Sequence, residues 1–177
     1  MSAWALPQRA QLVGTCLGAA VAFAPFELLQ TVPVGPLAVT TSEAYLAAAL
    51  LIAFGLAAAA GRLAPAALRQ RLQTPLQRWA VLGLLLWPAV HIGSALWSAE
   101  PAASAKFGLR VASGVAVAVA VWLWADSAPF RQRLVASLAT GSVLLTSLAV
   151  VERLVGRKLE PWLLLFRAEP TWMLGEQ

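Results

Sequence analysis

Five apolar runs divide this chain: residues 12–29, 44–60, 79–97, 107–124 and 134–151. Each approaches the ~20 residues that a helix needs to cross a hydrocarbon core. No soluble fold of 177 residues could hide so much apolar surface: 60% of the residues are hydrophobic and only 12% are charged. Soluble domains hold about 45–50% and about 25%. The runs therefore read as an all-α integral membrane protein of about five transmembrane helices.

The net charge of +5 does not point to nucleic acid, because the bases stand in the gaps between the runs. Bases so placed are topology signals. Cys16 is the sole cysteine and lies within an apolar run, so it supplies neither a disulfide framework nor a metal cluster.

The first run follows Arg9. Ala22-Phe23-Ala24 has the small-x-small form of a signal-peptide cleavage site, but Pro25 would follow the cut. An uncleaved spanning helix is the better reading, with Glu27 near its outer end. Residues 31–42 read as a short turn with two prolines and no base. Thr41 or Ser42 suits the cap of the next helix, and Glu43 suits its first turn.

Residues 61–78 carry Arg62, Arg69, Arg71 and Arg78 and no acid. Pro65 suits the start of a short helix on the membrane surface. The third run has a tryptophan near each boundary. Trp87, His91, Ser94 and Ser98, spaced by four, three and four, read as one helical face turned into the bundle. In the fourth run Val and Ala alternate from Val115 to Val121. Both types are apolar and no polar face results, so a helix is expected. Lys106, Arg110 and Ser113 share a face of that helix. Residues 125–133 read as a short polar turn with Arg131 and Arg133. The fifth run carries Thr140, Ser142, Thr146 and Ser147, which can bond within the helix or across to a neighbour.

The domain organisation is a helical bundle over 1–151 and a tail over 152–177, in which Pro161 could open a short interfacial helix. The tail ends at Gln177 without a closing element and reads as cut. Placing the four-arginine loop in the cytoplasm puts the amino terminus there too. The Trp97 turn and the tail then face outward.

No phosphate loop, nucleophile elbow or zinc-protease motif is present, and no cofactor motif. What remains is the polar turn between the third and fourth runs, with His91 on one side and Lys106 and Arg110 on the other. Cations at the outer end of a bundle suit an anionic lipid head group. Each residue also has a structural reading. His91 could bond a serine or a carbonyl in the bundle, and Lys106 and Arg110 could snorkel to the interface. Ser98 and Pro101 could shape the turn. Trp97, Trp122 and Trp124 read as belt residues, and Glu27 and Glu43 as helix-end groups.

The run Leu96-Trp97-Ser98-Ala-Glu100-Pro101-Ala-Ala-Ser104, followed by Leu109-Arg110, resembles the early periplasmic turn of the bacterial O-antigen ligase and polymerase superfamily. The resemblance implies the amino-terminal part of a C-type glycosyltransferase-like polytopic fold in the bacterial inner membrane. It implies transfer of a glycan from an undecaprenyl pyrophosphate carrier to an acceptor at the periplasmic face. The partners expected are membrane lipids, the carrier-linked glycan and the remaining helices of a longer chain. The substrate-binding candidates are Lys106, Arg110, His91 and Ser98, toward a carrier phosphate. The superfamily's catalytic arginine and histidine lie in a later periplasmic loop that this chain does not reach, so no catalytic residue is assigned and the chain alone is expected to be inactive. Two other readings stand beside this one: a transporter or exporter subunit, and a non-catalytic membrane scaffold. Paired intramembrane acids or broken helices would mark the transporter.

Overall fold

The computed structural model describes residues 5–23, 31–34 and 37–155. Among these the chain is helical apart from one small hairpin. The helices are α1 (Leu6–Phe23), α2 (Thr41–Ala59), α3 (Pro65–Arg71), α4 (Pro75–Ser94), α5 (Pro101–Trp124) and α6 (Ala128–Val155). The Val/Ala alternation over 115–121 is helical, within α5. Two helical stretches, Ser42–Ala59 and Pro101–Trp124, are long and apolar enough to cross a membrane, each with a mean hydropathy of 1.7. The polar first turns of α1 and α4 dilute their apolar content: they hold Gln8, Arg9 and Gln11, and Gln77 and Arg78.

The helical class expected stands, but a hairpin replaces the plain turn expected over 31–42. Strands β1 (Thr31–Val34) and β2 (Leu37–Thr40) pair antiparallel, with Thr31 opposite Thr40 and Val34 opposite Leu37. Thr and Val are β-branched and favour extended backbone, which the turn reading overlooked. Pro33 is tolerated because each strand of a two-stranded ribbon is an edge. The cap of α2 also falls earlier than expected. Thr40 Oγ1 accepts from the Glu43 amide at 3.3 Å, and the Thr40 amide donates to Glu43 Oε2 at 2.8 Å. This reciprocal capping box makes Glu43 the third helical residue and Thr40 the cap.

Helix boundaries shift in the same way elsewhere. Thr74 caps α4 through a capping box with Gln77, and Pro75 occupies the first turn. Pro101 starts α5 six residues before the expected 107, so Lys106 lies inside the helix. Ala128 starts α6, so Arg131 and Arg133 are helical and the turn is only 125–127. In each case proline or alanine extends the helix into a polar stretch that hydropathy had left as loop. Glu27, the tail over 156–177 and the helix expected at Pro161 lie outside the described residues.

The chain divides into two compact units. One holds residues up to Ala49 and those from Ser127, and the other spans Leu50–Asp126. In the first unit α1 packs along α6, and the contacts advance together along both helices. A Cβ on Gly14 would meet Phe130 O at 2.6 Å, one on Gly18 would meet Ser137 Cβ at 2.6 Å, and one on Gly141 would meet Ala22 Cβ at 2.5 Å. The two helices therefore run parallel, and glycine permits their approach. Val13, Leu17 and Phe130 are fully buried in this seam.

In the second unit α4 and α5 form an antiparallel pair. A Cβ on Gly108 would meet Ile92 N at 2.8 Å, so the two backbones nearly touch. Ala53 and Ala57, four apart on α2, are buried, as are Leu123 and Trp124 at the end of α5. Trp124 Nε1 donates to Ala53 O at 3.3 Å. The indole of Trp124, at the end of α5, thus reaches the backbone of α2. Large apolar side chains on α4 remain open: Leu76, Trp79, Leu85, Trp87 and Val90 are each more than half exposed.

Candidate functional site

The turn between α4 and α5 is built from local bonds. Past Ser94 the backbone tightens, with the amides of Ala95, Leu96 and Trp97 each donating three residues back. Ser94 Oγ donates to His91 O at 2.7 Å. Ser98 Oγ accepts from the Glu100 amide at 3.1 Å and from Ser104 Oγ at 2.7 Å. Ser98 is therefore outside α4 and does not continue the face of Trp87, His91 and Ser94. Its hydroxyl ties the turn to the first turns of α5, in keeping with the turn-shaping reading.

His91 is half-buried between rings. Its centroid lies 5.1 Å from that of Phe107 in an edge-on arrangement, and 6.1 Å from that of Trp87. Phe107 directly follows Lys106, so the packing brings His91 to the level of the α5 cations. Lys106 is half-buried and Arg110 is exposed, one turn apart on α5. Ser113 Oγ donates to Arg110 O at 2.8 Å. The structure thus brings His91, Lys106 and Arg110 to one end of the α4–α5 pair. Ser98 is in the turn above them.

The opposite end carries an arrangement that sequence reasoning missed. Arg62 donates to Asp126 Oδ1 and to Leu123 O, both at 2.7 Å. Arg71 donates to Asp126 Oδ2 at 2.8 Å and to Trp122 O at 3.0 Å. The Arg62 guanidinium lies 4.5 Å from the Trp124 ring centroid, and that of Arg71 lies 5.7 Å from Trp122. One carboxylate and two orphan carbonyls at the end of α5 are satisfied by two forked donors, each over an indole face. Partial burial would raise the Asp126 carboxyl, but the hydrogen bond from Arg62 and the charges of Arg62 and Arg71 outweigh it and hold it below the usual carboxylate range. Trp122 and Trp124 are platforms for arginine in this structure, where belt residues were expected. The legible signal was Asp126 itself, the sole acid between Glu100 and Glu152 and set beside two tryptophans.

Among the described residues no group of three or more His, Cys, Asp or Glu could hold a metal ion. From Lys106 to Trp124 the helix rises about 27 Å at ~1.5 Å per residue. The two polar ends of α5 are therefore about one hydrocarbon core apart, ~30 Å. Fold and site together define a helical protein with membrane-crossing candidates and cations at both ends of α5. No protein-family model matches the chain, and no curated protein or solved structure matches it either.

Proposed function

We propose that this chain is a five-span membrane portion of an O-antigen ligase-like protein, which binds an undecaprenyl pyrophosphate-linked glycan at the periplasmic face of the bacterial inner membrane. The observation that carries the reading is the grouping of His91, Lys106 and Arg110 at one end of the α4–α5 pair, about a membrane thickness from the arginine–Asp126 cluster. Lys106 and Arg110 contact the carrier phosphate, and His91 borders it.

Helix direction supports the span count. Five alternating spans require the first and fifth to run the same way, the second and fourth the same way, and the third and fourth oppositely. The α1–α6 and α4–α5 pairs meet the first and third of these conditions. The exposed apolar face of α4 suits lipid. The four arginines over 62–78 favour the cytoplasm for that loop and, with an even number of spans between, for the amino terminus. The transporter alternative gains no support, since α4 runs unbroken through Pro88 and neither α4 nor α5 contains an acid.

The test is binding of undecaprenyl pyrophosphate, with undecaprenol as the uncharged reference, to the chain in lipid nanodiscs. Losing one charge-assisted contact costs about 1.5–3 kcal/mol, so the double variant K106Q/R110Q is expected to weaken pyrophosphate binding at least tenfold. Undecaprenol binding should stay unchanged. Equal pyrophosphate affinity in variant and parent leaves snorkelling as the role of both cations and overturns the reading.

A further inference from the structure

The first unit carries a groove unrelated to the α4–α5 turn. It has a volume of about 480 Å³ and is lined by Gln8, Gln11, Leu12 and Thr15 of α1 and by Arg133 of α6. Gln8, Gln11 and Thr15 recur at three and four on one face of α1. Gly14 lies against Phe130 O and Arg133 Cβ, so the close approach of the two helices is what sets Arg133 beside this face.

The chemistry of the lining is one-sided. Arg133 offers only donors. Gln8 Oε1 accepts from the Ala5 amide at 3.2 Å, which leaves the Gln8 NH2 as its donor. Gln11 and Thr15 add an amide and a hydroxyl, and no acid among the described residues lines the groove. Such a set recognises an anion with several acceptor oxygens, and a forked guanidinium favours phosphate. The groove also crosses a boundary in the sequence. Gln8, Gln11 and Arg133 precede the apolar runs that begin at 12 and 134, whereas Leu12 and Thr15 lie within the first of them. A ligand filling it meets phosphate-binding groups at one end and an apolar wall at the other.

We infer that this groove binds the head group of an anionic phospholipid, with its phosphate on Arg133 and the glutamine amides and its glycerol region against Leu12. The inference rests on the membrane reading above and not on glycan transfer. Under the orientation given there, the lipid belongs to the cytoplasmic leaflet.

The test uses the full chain in nanodiscs of phosphatidylcholine into which phosphatidylglycerol is titrated. Bound lipid is counted by native mass spectrometry. R131Q is the control for R133Q: it removes the same charge on the same helix, two residues and about 200° away. Selective retention of phosphatidylglycerol, reduced about tenfold by R133Q and less than twofold by R131Q, is the expected result. Equal losses in the two variants would reduce the effect to general surface charge and overturn the site. Retention without selectivity would overturn it too. Displacement of the bound lipid by millimolar inorganic phosphate would assign the groove to a soluble anion and overturn the lipid source. A chain that fails to enter nanodiscs would overturn the membrane reading itself, so the two failures are distinct.

Discussion

Replacing Asp126 with asparagine tests whether charge holds the end of the second unit together. The carboxylate is 57% exposed, while the Arg62 and Arg71 side chains are only 13% and 21% exposed. Fully exposed pairs contribute about 0.2–1 kcal/mol, and hydrogen bonds to charged groups about 1.5–3 kcal/mol. An open carboxylate facing two covered guanidiniums falls between these ranges. Asparagine keeps one acceptor oxygen but turns an NH2 toward the second guanidinium, so one pair is weakened and the other opposed. The expected loss is about 1–2 kcal/mol in total. It is not larger, because Arg62 keeps Leu123 O and the Trp124 ring, and Arg71 keeps Trp122 O and the Trp122 ring.

The assay is denaturant unfolding of parent and D126N in one detergent across a pH series. The folded-state carboxyl lies below its ordinary value. A depressed carboxyl stabilises fully above its unfolded pKa of about 3.9, and that stability is lost as pH falls through the folded value. The gap between parent and D126N should therefore be constant from pH 7 to about pH 5 and close only on further acidification. Double-mutant cycles with R62Q and R71Q should each return a coupling with Asp126. A gap of zero at pH 7, or one that closes between pH 7 and 5, would refute the argument.

Two further outcomes follow from the same packing. Gly18→Ala should cost about 1–3 kcal/mol, because its Cβ would meet Ser137 Cβ at 2.6 Å and Leu134 O at 2.9 Å. Gly83→Ala, with nothing within 4 Å, should be neutral or slightly stabilising in the same denaturation assay. Under the proposed orientation, in a C16A background, a cysteine at Ala102 should react with an impermeant maleimide added from outside to cells with a sealed membrane. One at Ala67 should react only after permeabilisation, and labelling of position 67 from outside would reverse the orientation.

The long helices were legible because apolar runs of bilayer length can satisfy their backbone in few other ways. The short helix at Pro65 was legible from proline's preference for a first turn, and α3 begins there. The ends of the long helices were not, since hydropathy marks where lipid contact stops and capping marks where the helix stops. Thr40 with Glu43, Thr74 with Gln77, Pro101 and Ala128 each start a helix before its apolar run, so Lys106 (in α5) and Arg131 and Arg133 (in α6) become helical. That shift matters for the candidate sites. A cation in a loop has no fixed direction, whereas Lys106 and Arg110 on α5 share a face, and Arg133 is held against α1 by the contact at Gly14.

The arginines over 62–78 show the complementary failure. Counting their charge gave an orientation but no partner, because Asp126 lies 55 residues from Arg71 and 64 from Arg62. Pairing over such a span is written in no local spacing. It follows once Trp124 bonds to Ala53 O, which brings the segment after α2 to the turn after α5. Two half-buried cations and two carbonyls at a helix end then need partners in a small space, and each supplies what the other lacks.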